Sequence, residues 1–240
     1  MSATTSLPPA SGGARQGDVS PEEFLRHMSA MQHQYRTVSP SGAASVNLYH
    51  LPAHLTVAAA PATTNTGAAT LVSNAAATRI PVAFGTLVAA GTPAQAAQSI
   101  AEVMHEQHQR TLSFIAVHRD AMMQALAAAG QPNSTQAFVQ QMNAQRNRVK
   151  AAHEAQIDAM FARLTAIGAA HPAARPVILH TGNKVGGFVA GIGAEAAHVA
   201  STVKSAVAAG GSAVAKAAET VGHWASGAAK SVGHFFGGLF

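Results

Sequence analysis

The most regular hydrophobic pattern in the chain lies in its C-terminal segment, from Val199 onward. Apolar residues recur there at intervals of three, four or seven positions, which places them on one face of an α-helix. Polar and charged residues lie on the opposite face. The pattern predicts an amphipathic helical tail over 182–240. The residues expected to bind a membrane or a partner are Val199, Val203, Val207, Val214, Val221, Trp224, Val232, Phe235, Phe236, Leu239 and Phe240.

Two interpretations of this tail remain open at the sequence level. Each interior glycine costs about 1 kcal/mol of helix stability relative to alanine, so we expect the tail to be ordered by a surface. A helix lying in a lipid interface has this composition, with Lys204, Lys216 and Lys230 forming its basic face. The alternative is packing on the rest of the chain or on other copies. The glycines concerned are Gly210, Gly211, Gly222, Gly227 and Gly233.

The tail also repeats in blocks of eleven residues, at 201–211, 212–222 and 223–233. This period keeps an apolar face straight along a helix. In periodicity alone the tail resembles the lipid-binding repeats of the synucleins and apolipoproteins. The charged sequence motifs of those repeats are missing here. Over a few residues its ending, Val232 to Phe240, is similar to the aromatic-tipped ends of phage DNA-ejection proteins and bacterial pore-forming translocators. These resemblances imply membrane activity as an expectation.

A long helical hairpin is predicted over 93–170. Thr92-Pro93-Ala94-Gln95 has the composition of a capping box, and Gly130 follows the first predicted helix. After a Gln-Pro-Asn turn, a second helix is predicted from Ser134 to Ile167, with apolar residues in near-heptad order and Gly168 as its stop. Each arm is about 50 Å long at 1.5 Å per residue. Other helices, or other copies of the chain, must therefore complete the bundle, and we expect this region to self-associate.

The region before the hairpin divides into three parts. Residues 1–19 are rich in Ser, Thr, Pro and Gly, as flexible arms are. A short helix is predicted over 20–36, because Ser20 can cap it, Pro21 suits its first turn and Glu23 can complete a capping box. Residues 37–92 contain Arg79 as their one Lys, Arg, Asp or Glu. We interpret them as an Ala/Thr/Pro-rich linker, and the alternation at 46–50 is compatible with a few short strands.

Between hairpin and tail, residues 171–181 form a predicted proline-containing hinge. The tail then begins with two Gly-x-x-x-Gly pairs. These are Gly182 with Gly186 and Gly187 with Gly191. Paired glycines at this spacing allow two helices to approach closely, in membranes or in oligomers. They are the predicted helix-packing residues.

Candidate chemistry is sparse elsewhere. His105 and His108 are three residues apart, but no third ligand is in register, so we expect no metal or other cofactor. Arg146, Arg148 and Lys150 form a basic cluster that is either a solvated face or a site for phosphate or lipid headgroups. The chain contains no nucleophile elbow, no P-loop and no zinc-protease motif, and we expect it not to be an enzyme.

Composition narrows the class further. Hydrophobic residues make up 48% of the chain, but aromatic residues only 5%, so the core must consist largely of small side chains. The net charge of +5 is too dispersed to indicate specific nucleic-acid binding. The absence of cysteine excludes disulfides. We expect no cleaved signal peptide and no conventional transmembrane helix, which leaves a peripheral membrane, virion or uncleaved exported protein.

The sequence therefore predicts a mainly α protein: a long antiparallel helical hairpin, a short N-terminal helix and a C-terminal amphipathic helical tail, with a low-complexity, partly extended region between. The expected partners are other copies of the chain and an anionic membrane surface or a protein lattice. The expected function is membrane binding or pore formation by the tail, in a virion or a secretion apparatus. The alternative is a structural assembly component whose tail binds protein. Thirteen histidines against ten acidic residues also favour stronger membrane binding in mild acid.

Overall fold

The structure, a computed structural model, describes residues 19–37, 46–55, 92–129, 135–209 and 212–239. These residues are 92% helical and contain no strand. A 3-10 turn at Ala53–Leu55 follows the first helix, and another at Pro172–Ala174 precedes the fourth. The α-helices are α1 (Pro21–Arg36), α2 (Ala94–Ala129), α3 (Thr135–Ala170), α4 (Arg175–Ala209) and α5 (Ala213–Leu239).

Four of these helices form a closed bundle, and the fifth covers one side of it. Around the bundle, α2 packs between α3 and α5, and α4 packs between the same two helices on the opposite side. The shorter α1 lies against α3 and α4. The connections from α2 to α3, α3 to α4 and α4 to α5 are short, so consecutive helices of the bundle are antiparallel, as in an up-down four-helix bundle. The mainly α class, the predicted hairpin and the helical tail are therefore confirmed.

The first helix begins where its sequence predicts. The Ser20 hydroxyl accepts a hydrogen bond from the Glu23 backbone N–H at 3.1 Å, and Pro21 occupies the first turn. Its buried face carries Phe24, Met28 and Met31 among others. The second capping signal behaves differently, because the buried Thr92 hydroxyl has no hydrogen-bond partner among the described residues. Here the helix starts through the backbone bond from Ala97 N–H to the Pro93 carbonyl, 2.9 Å.

Two predicted boundaries were wrong. The helix α3 continues through Gly168 to Ala170, because the missing side chain of this glycine makes room for the Phe24 ring, with which a Cβ would collide. The predicted hinge at 171–181 is reduced to a turn at 171–174, because Pro176 lies in the first turn of α4, where a helix needs no backbone donor.

A buried polar network attaches residues 46–55 to the bundle. The Tyr49 N–H donates to the Tyr35 hydroxyl at 2.8 Å and to Asn183 Oδ1 at 3.1 Å. The Asn183 side chain donates to the Tyr49 carbonyl at 2.8 Å and accepts from the Tyr35 hydroxyl. Leu51 and Leu55 are buried beside it. The predicted strand at 46–50 does not form, because side chains rather than a neighbouring strand satisfy this backbone.

Arg175 joins three further segments at the other end of α1. It is buried, and its guanidinium donates to the Gly168 carbonyl at 3.0 Å and to the Val19 carbonyl at 2.9 Å. It also lies 5.8 Å from the centre of the Phe24 ring. The start of α1, the end of α3 and the start of α4 therefore share one positively charged anchor.

The glycine pairs differ in what they contact. A Cβ on Gly186 would lie 2.5 Å from the Tyr35 ring and 3.2 Å from the Phe161 ring, and one on Gly187 would collide with Leu48. At Gly182 a Cβ would be in ordinary contact with Leu164, 3.4 Å away. At Gly191 it would meet nothing within 4 Å. Close approach to α1 and α3 therefore requires glycine at 186. At 187 the exposed Leu48 side chain can move aside, and at 191 no contact requires glycine.

Replacing Gly186 with alanine should destabilise the protein by about 1–3 kcal/mol, because the new methyl group overpacks the contact with Tyr35. Gly222→Ala is the matched control, since a Cβ there meets nothing within 4 Å. The control should gain stability, by up to about 1 kcal/mol of helix propensity. Chemical denaturation of both variants measures the difference, and equal shifts would show that the contact with α1 is not tight.

Candidate functional site

The predicted binding face of the tail is divided between two helices that pack on each other. Its first part lies on α4 and the rest on α5. The side chains of Val203, Val221 and Val232 are 0% exposed. Phe236 is also buried, while Val214 and Phe235 are half-buried. The predicted amphipathic face therefore exists, but the bundle itself covers it. The other buried members are Val199, Val207 and Trp224; Phe240 and the side chain of Leu239 lie outside the described part.

The lysines of the predicted basic face do not all share one environment. Lys216 and Lys230 are exposed on α5, away from the bundle. Lys204 on α4 is partly buried and donates to Asn143 Oδ1 on α3 at 3.0 Å. The α5 helix is thus amphipathic in the folded protein, with its apolar face inward and its lysines outward.

An aromatic cluster fixes the C-terminal end of α5. The rings of Phe188 and Phe235 stack with centroids 4.0 Å apart and planes within 3°. Phe236 lies edge-on to Phe235 at 5.3 Å and stacks on His108 of α2 at 5.1 Å. Burial lowers the pKa of His108, and the charge of the nearby His105 lowers it further. One neutral histidine thus forms part of the contact between α2 and α5.

An apolar groove of about 610 Å³ opens beside the stack of Phe188 and Phe235. Leu48 on its wall is 55% exposed. Other walls are formed by Val46 and the helix backbone at Gly191. The cover over the tail's apolar face is therefore least complete near the C-terminal aromatic residues.

Glycine makes α5 weak as an isolated helix. A Cβ on any of five of its glycines would meet nothing within 4 Å. No close contact explains them, yet each interior glycine costs about 1 kcal/mol of helix stability relative to alanine. The helix α5 therefore depends on its apolar contacts with α2 and α4. These glycines are Gly222, Gly227, Gly233, Gly237 and Gly238.

Buried histidines occupy the seams of the bundle. Between α2 and α3, the His118 ring is 3% exposed and lies 2.6 Å from the Gln145 amide. Burial lowers its pKa to about 4. Between α3 and α1, His153 Nε2 donates to the Tyr35 carbonyl at 2.9 Å, and burial lowers its pKa as well. On α4, burial followed by the charge of Lys184 lowers the pKa of His180.

The lowered pKa values of these histidines link proton uptake to unfolding. A group whose pKa is lower in the folded than in the unfolded state binds protons preferentially after unfolding. The stability contributed by neutral His118 is fully present above about pH 6.5, the ordinary histidine value, and is lost as the pH falls toward about 4. We therefore expect protonation of His118 to lower the free energy of unfolding as the pH falls through this range.

Several of these features had weak sequence signals. Tyr35 and Asn183 are 148 positions apart, so no local pattern could have paired them. Gln145 and Gln156 lie on the inner face of α3, where polar residues interrupt the apolar order; Gln156 donates to Thr111 at 2.8 Å. Arg175 could have been noticed as a lone charge within an apolar stretch. The spacing of His118 and His153 relative to the apolar residues of α2 and α3 was a signal that both histidines are buried.

Neither a metal-binding cluster nor a membrane-spanning helix occurs among the described residues. These contain no group of three His, Asp or Glu side chains placed to hold a metal ion. None of the helices within them combines the length and hydropathy required to cross a bilayer. No family model, curated protein or solved structure matches the chain.

Replacing His118 with glutamine should reduce the loss of stability between about pH 6.5 and pH 4, because glutamine cannot take up the proton that the unfolded state binds more tightly. Urea denaturation across this range measures the effect. His223→Gln is the control, since His223 is exposed on α5. If wild type and both variants lose stability in parallel, His118 does not contribute to the acid response.

Proposed function

We propose that this chain is a non-enzymatic, membrane-active protein that stores an amphipathic helix, α5, in a closed bundle. In mild acid α5 leaves α2 and α4 and lies on an anionic membrane surface. The observation that carries the proposal is the burial of the α5 apolar face, in which Val221, Val232 and Phe236 are at most 1% exposed. The helix α5 itself has low intrinsic stability, because it contains glycines that no contact requires.

The composition of α5 suits both states. Inside the bundle its valines and phenylalanines pack on α2 and α4. On a membrane the same face would be buried at the boundary between headgroups and acyl chains, while Lys216 and Lys230 would remain with the headgroups. Because the same apolar face packs either on the bundle or on the membrane, α5 must leave the bundle before it can bind lipid.

Protonation supplies the trigger. It disfavours the burial of His108 against Phe236, so the contact between α2 and α5 weakens as the pH falls. Protonation of His118 in the seam between α2 and α3 lowers the stability of the bundle at the same time. The exposed Lys216 and Lys230 on α5 add electrostatic attraction to an anionic surface. Together these effects favour the membrane-bound state in acid.

A second role, assembly with other copies or with a protein lattice, stays a prediction. Within one copy, α1, α4 and α5 already cover the apolar seams of α2 and α3, so the folded chain does not require a partner to bury them. A released α5 exposes the same apolar face. It could then bind a second copy in place of lipid.

Vesicles of phosphatidylserine and brominated phosphatidylcholine should quench Trp224 at about pH 5.5 and leave it unquenched at about pH 7.5. Bromine quenches only a tryptophan that enters the bilayer. It is therefore a better reporter than an emission shift, because Trp224 is already buried, 9% exposed, in the closed bundle. Equal quenching at both pH values, or none at either, would contradict acid release.

A pair of variants separates release from lipid binding. His108→Asp places a carboxylate against Phe236 without altering α5, so it should open the bundle and raise vesicle binding several-fold at about pH 7.5. Val221→Asp adds the same charge on the α5 side of the interface. It should open the bundle too but should not bind, because the released face now carries a charge at its centre.

Co-sedimentation with anionic vesicles, alongside a denaturation curve for each variant, measures both steps. If His108→Asp forms oligomers and ignores vesicles, the tail serves assembly and not membranes. If both variants bind equally, the apolar face is not what binds lipid.

A further inference from the structure

A polar pocket between α1, α3 and α4 collects positive charge on the side of the bundle away from α5. It has a volume of about 660 Å³. Its base includes the buried His153 and the backbone at Gly193, and Thr37 at the end of α1 closes one side. This volume lies in the range of small-molecule sites and far exceeds that of a phosphate ion.

Cations from three helices converge on this pocket. Arg36, Arg146 and Lys150 line it, and the Lys204 ammonium lies beside it through its hydrogen bond to Asn143. The nearby acids are Glu154, which lines the pocket, and Asp158. Four cations against two carboxylates leave two positive charges in excess.

The acids hold some of these cations in place and leave others unpaired. The Arg36 guanidinium lies 3.6 Å from Asp158 and 3.9 Å from Glu154, and the Lys150 ammonium lies 3.8 Å from Glu154. Arg146 and Lys204 have no acidic partner among the described residues. A guanidinium without a carboxylate, beside other cations, is suited to bidentate binding of a phosphate group.

The remaining wall is uncharged and rich in hydrogen-bonding groups. Asn143 accepts from Lys204 through Oδ1, which leaves its amide N–H groups as donors. Asn147 supplies a further amide, and the Thr37 hydroxyl, which donates to the His33 carbonyl at 2.9 Å, remains an acceptor. Such groups bind hydroxyls, and the space beyond a phosphate is large enough for a polyol ring.

We propose that this pocket binds a phosphomonoester carried on a polyhydroxylated group, with Arg146 as the principal phosphate-binding residue. The ligand chemistry is shared by inositol phosphate headgroups of lipids and by soluble inositol or sugar phosphates. The site is complete in the closed bundle. It therefore does not depend on release of α5.

Calorimetric titration of the full chain with inositol trisphosphate at about pH 7.5 tests the site in its soluble form. Wild type should bind, and Arg146→Gln should weaken binding about tenfold, the loss expected for one charge-assisted pair. The matched control is Arg148→Gln, two residues along the same helix, which removes the same charge from a different pocket beside His118. It should change the affinity by less than about twofold.

Phosphatidylcholine vesicles with a phosphatidylinositol phosphate test the lipid-borne form, and phosphatidylserine vesicles control for charge alone. Binding that depends on Arg146 with either phosphate probe supports the site, and the probe that binds identifies the source of the ligand. Equal losses in the two arginine variants would overturn the proposal, as would equal binding of phosphatidylserine or no binding of either phosphate probe. A denaturation curve for each variant excludes unfolding as the cause.

Discussion

Burial of one apolar face of α5 against α2 and α4 is the interaction on which the arrangement of the molecule depends. The chain contains few large apolar side chains, so it cannot form a separate core for each helical hairpin. Instead α2–α3 and α4–α5 share one core, in which Val221, Val232 and Phe236 fill the space between them. The fold is a closed bundle because neither hairpin can bury its apolar residues alone.

This sharing also makes the bundle easier to open at one side than at the other. Arg175, the network of Tyr35 with Asn183, and the close contact at Gly186 join α1 to α3 and α4. The helix α5 has mainly apolar contacts, a histidine stacked on its last aromatic pair, and glycines that no contact requires. Local stability follows such differences in contact, so α5 should be the first helix to leave.

The sequence was informative wherever the periodicity was long and the boundary chemistry local. Ser20 and Pro21 predicted the start of α1, and the spacing of valines from Val199 onward predicted the inner face of α4 and α5. It was misleading where distant residues decide the outcome. Gly168 was interpreted as a helix stop because only the folded chain brings Phe24 against it. Periodicity also shows that an apolar face must be buried, but it does not show whether a membrane or another helix, such as α2, buries that face.

Hydrogen–deuterium exchange of the free protein at about pH 7.5 and pH 5.5, expressed as protection factors, tests the central claim most directly. We predict that α5 is protected at neutral pH and loses protection first in acid, while α1 and the C-terminal half of α3 remain protected. If α5 stays as protected as α3 at both pH values, the bundle does not release α5, and the stored membrane face is excluded as its function.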